Sequence, residues 1–395
     1  MTRNASFPTL LPVYKRIDIL FERGQGAWLW DRQGRRYLDF ASGIAVTALG
    51  HAHPHLVAAL TEQARKLWHV SNLFRIEQLE KLADRLVANS FAETVFVCNS
   101  GAEAIEACIK MARRFHWHRG QPERHRILTF EGAFHGRTLA AISATRNPRL
   151  TEGFAPLLEG FDVVPFADHT AVREAITPQT AAILIEPVQG EGGVRPVPAE
   201  CLRGLRQLCD EHDLLLIFDE VQCGMGRTGH LFACEAADVA PDIMALAKGL
   251  GGGFPIGACL ATARAASGMT PGSHGSTFGG NPLGCAVANA VLDVLLEEGF
   301  LENVRTQGHY LRERLEALRA RYPDRISDVR GLGLMLGLKP AMVNTDFAAR
   351  LRERGLLTVP AADNVVRLLP PLVIGREEID LACETIAAVL EEGGS

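Results

Sequence analysis

The chain has 395 residues, 47% of them hydrophobic and 22% charged, with a formal net charge of −5 at pH 7. The length favours two or more lobes over one small core, and the composition is that of an ordinary globular protein. The acidic balance argues against nucleic acid and anionic membrane surfaces as partners. No apolar run in the sequence approaches the roughly 18 residues of a membrane span.

The cysteine pattern indicates a reducing compartment. The nine cysteines are scattered without a C-x-x-C pair, which argues against a disulfide framework or a zinc ribbon. Tyr14, Lys15 and Arg16 interrupt the first apolar stretch, unlike the apolar region of a signal peptide. We therefore expect a cytoplasmic protein.

The N-terminal part predicts a hairpin followed by an amphipathic helix. GAWLWDRQGRRYLDF carries two alternating apolar stretches around a turn at 31–34, which is a hairpin signal. Farther along, Leu56, Leu60, Ala64 and Leu67 recur at helical spacing. This spacing places them on one face of a helix.

From about Phe96, short unbroken apolar runs alternate with helical segments. The runs are VFVC, ILTF, AAILIE and LLLIF, as expected of strands buried on both faces. This alternation predicts an α/β fold with a mainly parallel sheet covered by helices. Ligands bind at the carboxyl ends of strands in such sheets, so we expect the chemistry in the loops after these runs.

After about Pro282 the pattern becomes helical and then mixed. FLENVRTQGHYLRERLEALRARY places apolar residues on one side of a long helix, and the strand-like runs LLTVPA and NVVRLL precede a last helix. We expect a smaller α+β domain at 284–395, joined by an N-terminal segment at 1–57. The large domain would span 58–283.

Two loops after predicted strands offer groups for an anionic ligand. In VFVCNSGAEA, Ser100 is a good helix N-cap after a small-residue turn, and such a helix start attracts phosphate. In TFEGAFHGRT, Phe134, His135 and Arg137 stand on a loop, and arginine is the usual bidentate ligand of a carboxylate. Taken alone, an ordinary helix cap is the favoured explanation of Ser100, and loop packing is the more common explanation of a phenylalanine such as Phe134.

Two further predicted strands end in acidic residues. Glu186 and Glu191 lie in IEPVQGEGG, and Asp219 and Glu220 lie in LIFDEVQCGMGRTG. A carboxylate at the end of an apolar strand is costly unless it binds something positive. A structural ion pair would also satisfy that requirement.

Lys248 lies in DIMALAKGLGGGFPIGA, an apolar run that turns into a glycine-rich loop. An unpartnered ammonium out of water is costly, and burial leaves the amine nucleophilic enough to form a Schiff base. A carboxylate such as Asp219 facing a pyridine nitrogen would keep that nitrogen protonated. The lysine, the carboxylate and the phosphate-type helix start together indicate pyridoxal 5′-phosphate (PLP), bound covalently by Lys248.

Other classes of function compete with this interpretation. A nicotinamide enzyme is disfavoured because GLGLMLG has the wrong spacing for G-x-G-x-x-G and lies late in the chain. A non-catalytic binding or structural protein on the same fold stays open. Metal binding by HAHPH is disfavoured because no carboxylate or cysteine accompanies its histidines.

With these residues assembled, the chain resembles the class III (ω-amino) branch of the PLP-dependent aminotransferases of fold type I, from about Tyr14 to the last helix. The motifs that carry the resemblance are GHAHP, NSGAEA, FHGRT, EPVQGEGG, DEVQCGMGRTG, ALAKGLGGGFPIGA, GSTFGGNPL and RLLPPL. The resemblance implies a large PLP-binding domain with a seven-stranded, mainly parallel sheet and a smaller α+β domain. Ile105 and Cys223 depart from the residue types that many relatives carry.

For the cofactor ring, the resemblance implies a catalytic pair and its surroundings. Lys248 would be the catalytic amine, and Asp219 would hold the pyridine nitrogen. Phe134 would stack on the ring, Val221 would pack behind it and Gln222 would contact its hydroxyl group.

For the cofactor phosphate, the resemblance implies residues from two chains. Ser100, Gly101 and Ala102 would bind the phosphate at the helix start. Thr277, with Ser276 beside it, would reach the same site from a second copy. The active enzyme would then be a homodimer with shared active sites, and no metal is implied.

For the substrates, the resemblance implies two arginines with different tasks. Arg137 would hold the carboxylate far from the reacting amine, Arg367 would hold a carboxylate of glutamate, and Glu191 would neutralise Arg367 when the other substrate is bound. The implied ping-pong reaction converts N-acetylornithine and 2-oxoglutarate to N-acetylglutamate 5-semialdehyde and glutamate, a step of arginine biosynthesis. Succinylornithine, succinyldiaminopimelate, ornithine and 4-aminobutyrate stay open as donors.

Overall fold

The computed structural model describes residues 9–392, so 1–8 and 393–395, the outer ends of the first and third predicted segments, lie outside the description. Three antiparallel strands come first: β1 (Phe21–Gln25), β2 (Trp28–Asp31) and β3 (Arg36–Asp39). The predicted hairpin at 31–34 is confirmed. Asp31 Oδ1 accepts the backbone N–H groups of Gln33 and Arg35 and thereby closes the turn.

A single left-handed turn and two helices lead into the central sheet. They are α1 (Ser42–Ala45), α2 (Pro54–Ala64) and α3 (Glu77–Ala88). Proline at the first position suits the start of α2, where its missing N–H has no intrahelical partner to lose. The helix ends at Ala64, so the predicted continuation to Leu67 is wrong.

Seven strands form the central sheet, and a two-stranded ribbon interrupts them in sequence. In chain order these elements are β4 (Thr94–Cys98), β5 (Arg126–Phe130), β6 (Phe161–Val164), β7 (Thr180–Ile185), the ribbon β8 (Val188–Gln189) and β9 (Arg195–Pro196), then β10 (Leu215–Asp219), β11 (Ile243–Leu246) and β12 (Gly257–Ala261). Across the sheet the order is β4-β12-β11-β10-β7-β5-β6. β12 runs antiparallel to both of its neighbours, β4 and β11, and the other neighbouring strands of this sheet pair in parallel. The predicted seven-stranded, mainly parallel sheet is confirmed.

Helices cover both faces of this sheet. In β10, Leu215 and Ile217 pack in the cluster that contains α4 (Gly101–His118), whereas Leu216 and Phe218 belong to the cluster on the other face. Successive side chains of a strand point to opposite faces, and both faces are covered, which explains the unbroken apolar runs. The other helices of this part are α5 (Leu139–Thr145), α6 (Pro148–Thr151), α7 (His169–Ala175), α8 (Ala199–Glu211), α9 (Ala263–Ala266) and α10 (Pro282–Leu295).

The C-terminal part combines helices with a second antiparallel sheet. Its elements are α11 (Phe300–Arg321), β13 (Ile326–Leu332), β14 (Met335–Pro340), α12 (Asn344–Glu353), β15 (Leu356–Leu357), β16 (Val359–Pro360), β17 (Val366–Leu368) and α13 (Arg376–Glu392). The second sheet has the order β13-β14-β17-β16. β15 pairs in parallel with β3, so the N-terminal strands share a sheet with this part of the chain. This pairing supports the predicted division at 57 and 283, which stays a prediction.

The glycines of GLGLMLG belong to a hairpin. Gly331 lies in β13, Gly333 in the turn and Gly337 in β14, and Leu332 lies opposite Met335 across the turn. Gly331 and Gly333 have φ values of 124° and 53°, a region that glycine enters without a steric cost. A turn of this kind explains the glycines without a dinucleotide.

Gly257 links the sheet to the predicted phosphate site. A Cβ at Gly257 would lie 2.4 Å from the carbonyl oxygen of Ser100, the residue that precedes α4. We expect Gly257→Ala to lower the free energy of unfolding by about 1–3 kcal/mol and to weaken PLP binding, because the Ser100 loop has to move. Thermal unfolding and PLP titration of the apoenzyme measure the two effects.

Gly375→Ala is the matched control for this prediction. Its nearest contact would be Glu378 Oε2 at 3.1 Å, the end of a flexible side chain. Equal losses in the two variants would contradict the role assigned to Gly257.

Candidate active site

A cavity of about 330 Å³ opens at the carboxyl ends of the central strands. Its walls come mainly from the loops after β4, β5, β7, β10 and β11, where ligands of parallel sheets are expected. The predicted cofactor residues that line it are Ser100, Gly101, Ala102, Phe134, Asp219, Val221, Gln222 and Lys248. The ninth predicted residue, Thr277, lies on the exposed surface.

Lys248 enters the cavity from a short 3₁₀ turn that follows β11, with a left-handed φ of 44°. Within residues 9–392, its amine has no hydrogen-bond or ion-pair partner. Burial is the main cause that lowers the pKa of the Lys248 amine; Arg367 acts in the same direction, and Glu191 and Asp219 oppose it. A lysine with a lowered pKa keeps a neutral, nucleophilic fraction at lower pH than an exposed one.

Asp219 is fixed by two hydrogen bonds at the end of β10. His135 Nδ1 lies 2.8 Å from Asp219 Oδ2, and the backbone N–H of Val221 donates to Oδ1 at 3.1 Å. His135 is buried, and its Nε2 has no hydrogen-bond partner within the described residues. The histidine thus orients the carboxylate, a role that the sequence did not assign although it placed His135 on this loop.

Glu186 is a second buried acid in the cavity wall. The backbone N–H of Phe134 donates to Glu186 Oε2 at 3.4 Å. Burial, together with the negative charge of Asp219, raises the pKa of Glu186 well above its ordinary value. Glu186 therefore stays protonated to higher pH than an exposed glutamate. The sequence marked Glu186 as a strand-end acid but gave it no task.

Glu220, the neighbour of Asp219, has a structural explanation. Its two carboxylate oxygens accept the backbone N–H groups of Ala233 and Cys234 at 2.6 and 2.8 Å. Burial raises the pKa of Glu220 to about 7. It anchors the turn after the catalytic strand and lies outside the cavity lining.

The start of α4 has the features of a phosphate site. Ser100 Oγ accepts the backbone N–H of Glu103 and so caps α4, and Glu103 Oε2 accepts the N–H of Asn99 just before the cap. A Cβ at Gly101 would lie 2.8 Å from Val221 Cγ1, so only glycine lets the helix start approach the loop after β10 so closely. The first N–H groups of a helix attract an anion.

A strained turn brings Val46 into the cavity wall. The four residues of α1 before it all have positive φ, between 46° and 67°, which is costly for residues other than glycine. Asp39 Oδ1 accepts the N–H groups of Ala41 and Ser42, and Asp39 Oδ2 bonds to His51 at 2.8 Å. The first histidine of HAHPH therefore supports this turn.

Arg367 reaches the site from β17 of the C-terminal sheet. It is fully buried and holds Glu191 with two bonds, Nη1 to Oε1 at 2.6 Å and Nη2 to Oε2 at 3.1 Å. Its Nη1 also donates to Gln222 Oε1 at 3.1 Å. Gln222 lines the cavity, so the Glu191–Arg367 pair lies directly behind the cavity wall.

Arg137, Ser276 and Thr277 lie farther out. Arg137 is exposed, with its guanidinium 5.7 Å from the centre of the Phe134 ring. Ser276 Oγ accepts a bond from Asn99 Nδ2 at 3.0 Å, and Asn99 precedes the helix start that lines the cavity. Thr277 is exposed beside it.

The two departures from the family pattern lie behind the site. Ile105 is fully buried on the α4 face of the sheet. Cys223 is buried too, with its Sγ 3.8 Å from the carbonyl oxygen of Asp219. Neither side chain lines the cavity.

These residues fit the chemistry that PLP requires. The cavity holds a lysine amine free of partners, a carboxylate already oriented by a histidine, and a helix start with small residues. Lys248 would bind the aldehyde of PLP, Asp219 would hold its pyridine nitrogen, and the helix start would hold its phosphate.

Comparisons with known proteins give the same result. The family model described as "Aminotransferase class-III" matches residues 12–390. The chain belongs to the class III aminotransferases. It is 61% identical to the acetylornithine aminotransferase of Mesorhizobium japonicum, over 96% of this chain and 95% of that protein.

Two solved structures show the same fold. The N-acetylornithine aminotransferase of Stenotrophomonas maltophilia K279a has a TM-score of 0.85 and 42% identity, covering 96% of this chain and 97% of that one. The ornithine aminotransferase of Toxoplasma gondii ME49 has a TM-score of 0.94 and 33% identity, with coverages of 98% and 93%.

This class III aminotransferase is a PLP-dependent enzyme with a fold of type I. Within residues 9–392, no helix combines the length and the apolar character needed to cross a bilayer.

The charges around Lys248 predict opposite effects of two substitutions. Glu191 raises the pKa of the Lys248 amine, and Arg367 lowers it. Glu191→Gln should therefore lower this pKa, whereas Arg367→Ala should raise it. Competitive acetylation of the apoenzyme across pH, followed by peptide mass mapping, reports the midpoint for Lys248. Shifts of the same sign in both variants would contradict the arrangement.

Proposed function

We propose that the enzyme transfers the terminal amine of N-acetylornithine to 2-oxoglutarate, giving N-acetylglutamate 5-semialdehyde and glutamate for arginine biosynthesis. The observation that carries this proposal is the pair of buried Arg367 and half-buried Glu191 behind the lysine cavity, with Arg137 exposed nearby. An arginine that can be neutralised by its own glutamate suits two substrates that differ by one carboxylate. The names of the close relatives support acetylornithine as the donor.

The site residues divide the chemistry among them. Bound PLP supplies an aldehyde that captures amines and a ring that accepts electrons. The Lys248 amine is the nucleophile, and once released it moves a proton to and from the carbon that bears the substrate nitrogen. Asp219, oriented by His135, would keep the proton on the pyridine nitrogen.

The remaining site residues bind and orient the two partners. Ser100, Gly101 and Ala102 would hold the phosphate through the helix start, and Phe134 and Val221 would pack against the ring. Gln222 would contact the ring hydroxyl. Its bond to Arg367 links this contact to the carboxylate-binding arginine.

The carboxylates of the two substrates would meet different arginines. Arg137 would hold the carboxylate far from the reacting amine, which is the α-carboxylate of acetylornithine or the γ-carboxylate of glutamate. Arg367 would bind only the α-carboxylate of glutamate or 2-oxoglutarate. With an ω-amino donor that place is empty, and Glu191 keeps Arg367 neutralised.

The preferred donor is tested by half-reactions. Each candidate donor alone, namely N-acetylornithine, succinylornithine, succinyldiaminopimelate, ornithine and 4-aminobutyrate, is mixed with the yellow holoenzyme, and the loss of its absorbance is followed. We expect N-acetylornithine to give the highest second-order rate constant. A higher constant for another donor would replace acetylornithine in the proposal and leave the transamination chemistry in place.

Arginine variants test the proposed division of labour. Leaving a buried charge unpaired costs on the order of 2–5 kcal/mol, which is roughly 30-fold or more in kcat/KM. Arg367→Ala should lower the glutamate half-reaction by such a factor and affect the acetylornithine half-reaction far less. Arg137→Ala should lower both half-reactions by at least about tenfold, because a charge-assisted bond to each substrate is lost. Stopped-flow rates with each substrate alone measure the losses.

Glu191→Gln is the control for the arginine variants, since it removes the internal counter-charge and keeps Arg367. It should slow mainly the donor half-reaction. Equal losses in both half-reactions for Arg367→Ala would refute the division of labour.

The enzyme would act as a homodimer with shared active sites. An exposed apolar patch supports this proposal: Trp68, Leu73, Phe74 and Phe278 are 65%, 86%, 68% and 63% exposed. The Asn72 side chain donates to the carbonyls of Ser276 and Gly279 and so joins the segment of Leu73 and Phe74 to the segment of Phe278. Its apolar side chains rim the segment with Ser276 and Thr277, which would serve the partner's cavity.

Subunit mixing tests the shared site. Lys248→Ala and Thr277→Tyr dimers should each be nearly inactive. After subunits exchange at equal amounts, about a quarter of the sites should combine an intact lysine with an intact Thr277. Recovered activity near that fraction supports sharing, and no recovery despite heterodimers seen by native mass spectrometry would contradict it. The double variant mixed with wild type serves as the control.

A cytoplasmic location and the domain division at 57 and 283 complete the proposal. The nine unpaired cysteines support a reducing compartment. The pairing of β15 with β3 supports an N-terminal segment attached to the small domain.

A further inference from the structure

Arg227, in the loop after β10, is a buried guanidinium that the proposed chemistry does not use. Its side chain is 2% exposed, and within residues 9–392 it pairs with no carboxylate. Nη2 has no hydrogen-bond partner there, and burial lowers the pKa of Arg227 to about 9. A charge buried under these conditions is costly, so its remaining contacts have to account for its position.

Those contacts are backbone carbonyls of the C-terminal sheet. Arg227 Nη1 donates to the Leu334 carbonyl at 3.1 Å and also to the carbonyl of Pro370. In return, the Arg227 carbonyl accepts the N–H of Leu334 at 3.1 Å. Leu334 directly precedes β14, and Pro370 follows β17 by two residues.

One of the two strands held in this way, β17, carries Arg367. β14 and β17 are paired in the central part of the small sheet, with Gly337 opposite Arg367. Arg227 therefore holds the beginning of one strand and the exit of the other from a single planar group. Both bonds come from Nη1, a single nitrogen with two N–H donors, so one group joins the two strands.

The other end of this connection is the loop that carries the ring-binding residues. Asp219, Val221 and Gln222 open the loop in which Arg227 lies, and Gln222 contacts the Arg367 guanidinium. Farther along the loop the two backbones nearly touch, since a Cβ at Gly333 would lie 2.4 Å from the carbonyl carbon of Thr228. Contacts this close transmit small displacements between the two elements.

We propose that Arg227 is a positioning residue that sets the place of Arg367 relative to the ring-binding loop, and so tunes the enzyme for its dicarboxylic partner. The inference rests on the carboxylate-binding role proposed for Arg367. If Arg227 loses its hold on Leu334 and Pro370, the β14–β17 pair can shift against Gln222. The donor half-reaction does not use Arg367 and would be spared.

The test compares Arg227→Met, which keeps the side-chain length without donors, with Arg227→Lys, which keeps a charged donor. Stopped-flow half-reactions are run with glutamate alone and with N-acetylornithine alone. We expect Arg227→Met to weaken the apparent affinity for glutamate about tenfold or more, since small misplacements at a site are costly, and to change the donor half-reaction by less than about twofold. Arg227→Lys should recover part of the loss.

Arg305→Met is the matched control. Arg305, from α11, donates to the Gly229 carbonyl at 2.6 Å. It therefore holds the same loop with the same kind of contact, and within residues 9–392 it makes no hydrogen bond to β14 or β17. It should lower thermal stability without changing the ratio of the two half-reactions.

The outcomes separate the alternatives. Equal losses in both half-reactions for Arg227→Met, or the same change of ratio in Arg305→Met, would overturn the inference in favour of a general structural role. If Arg227→Met does not fold, the ratio measured for Arg227→Lys decides. Arg367→Ala, run in parallel, distinguishes the two proposals. If Arg367→Ala slows both half-reactions equally, the proposed role of Arg367 is wrong. If Arg367→Ala slows mainly the glutamate half-reaction but Arg227→Met slows both equally, this inference is wrong.

Discussion

The amine of Lys248 has to be buried and yet free of partners, and much of the active site follows from that requirement. A carboxylate that paired with the amine would raise its pKa and remove its nucleophilicity. Three acids lie near enough to affect it, and each is otherwise engaged: Asp219 is held by a histidine, Glu191 is held by Arg367, and burial raises the pKa of Glu186 well above its ordinary value. The polar groups around the lysine thus stabilise one another and leave the amine available.

The fold divides this arrangement between two sheets. The parallel sheet supplies the lysine, the ring-binding carboxylate and the phosphate-type helix start, because the carboxyl ends of its strands meet at one edge. Arg367 comes from the antiparallel sheet of the C-terminal part. The groups from the two sheets have to be aligned with each other. This requirement explains why side chains of the loop after β10 contact residues of both sheets.

Local patterns predicted the parts of the fold that are buried on both faces. Four of the seven central strands, β4, β5, β7 and β10, coincide with unbroken apolar runs. β6, β11 and β12 lack such a distinct run: β6 contains an aspartate, β11 merges with the run that leads to Lys248, and β12 consists mostly of small residues. The β13–β14 hairpin is likewise not predicted, because its charged residues and glycines obscure the alternation of apolar and polar residues.

For the site, the sequence predicted the residues that meet a ligand better than those that act on other residues. Lys248 and Asp219 stand out because a charge directly after an apolar strand is unusual. His135 lies 84 residues from Asp219 in sequence, and its neighbours Phe134 and Arg137 gave a sufficient explanation for the loop. A residue that orients another needs only to be near it in space, and that proximity arises from the packing of β5 and β10 around a shared neighbour. No period or motif within either segment encodes it, so such residues emerge only once the strands are arranged in three dimensions.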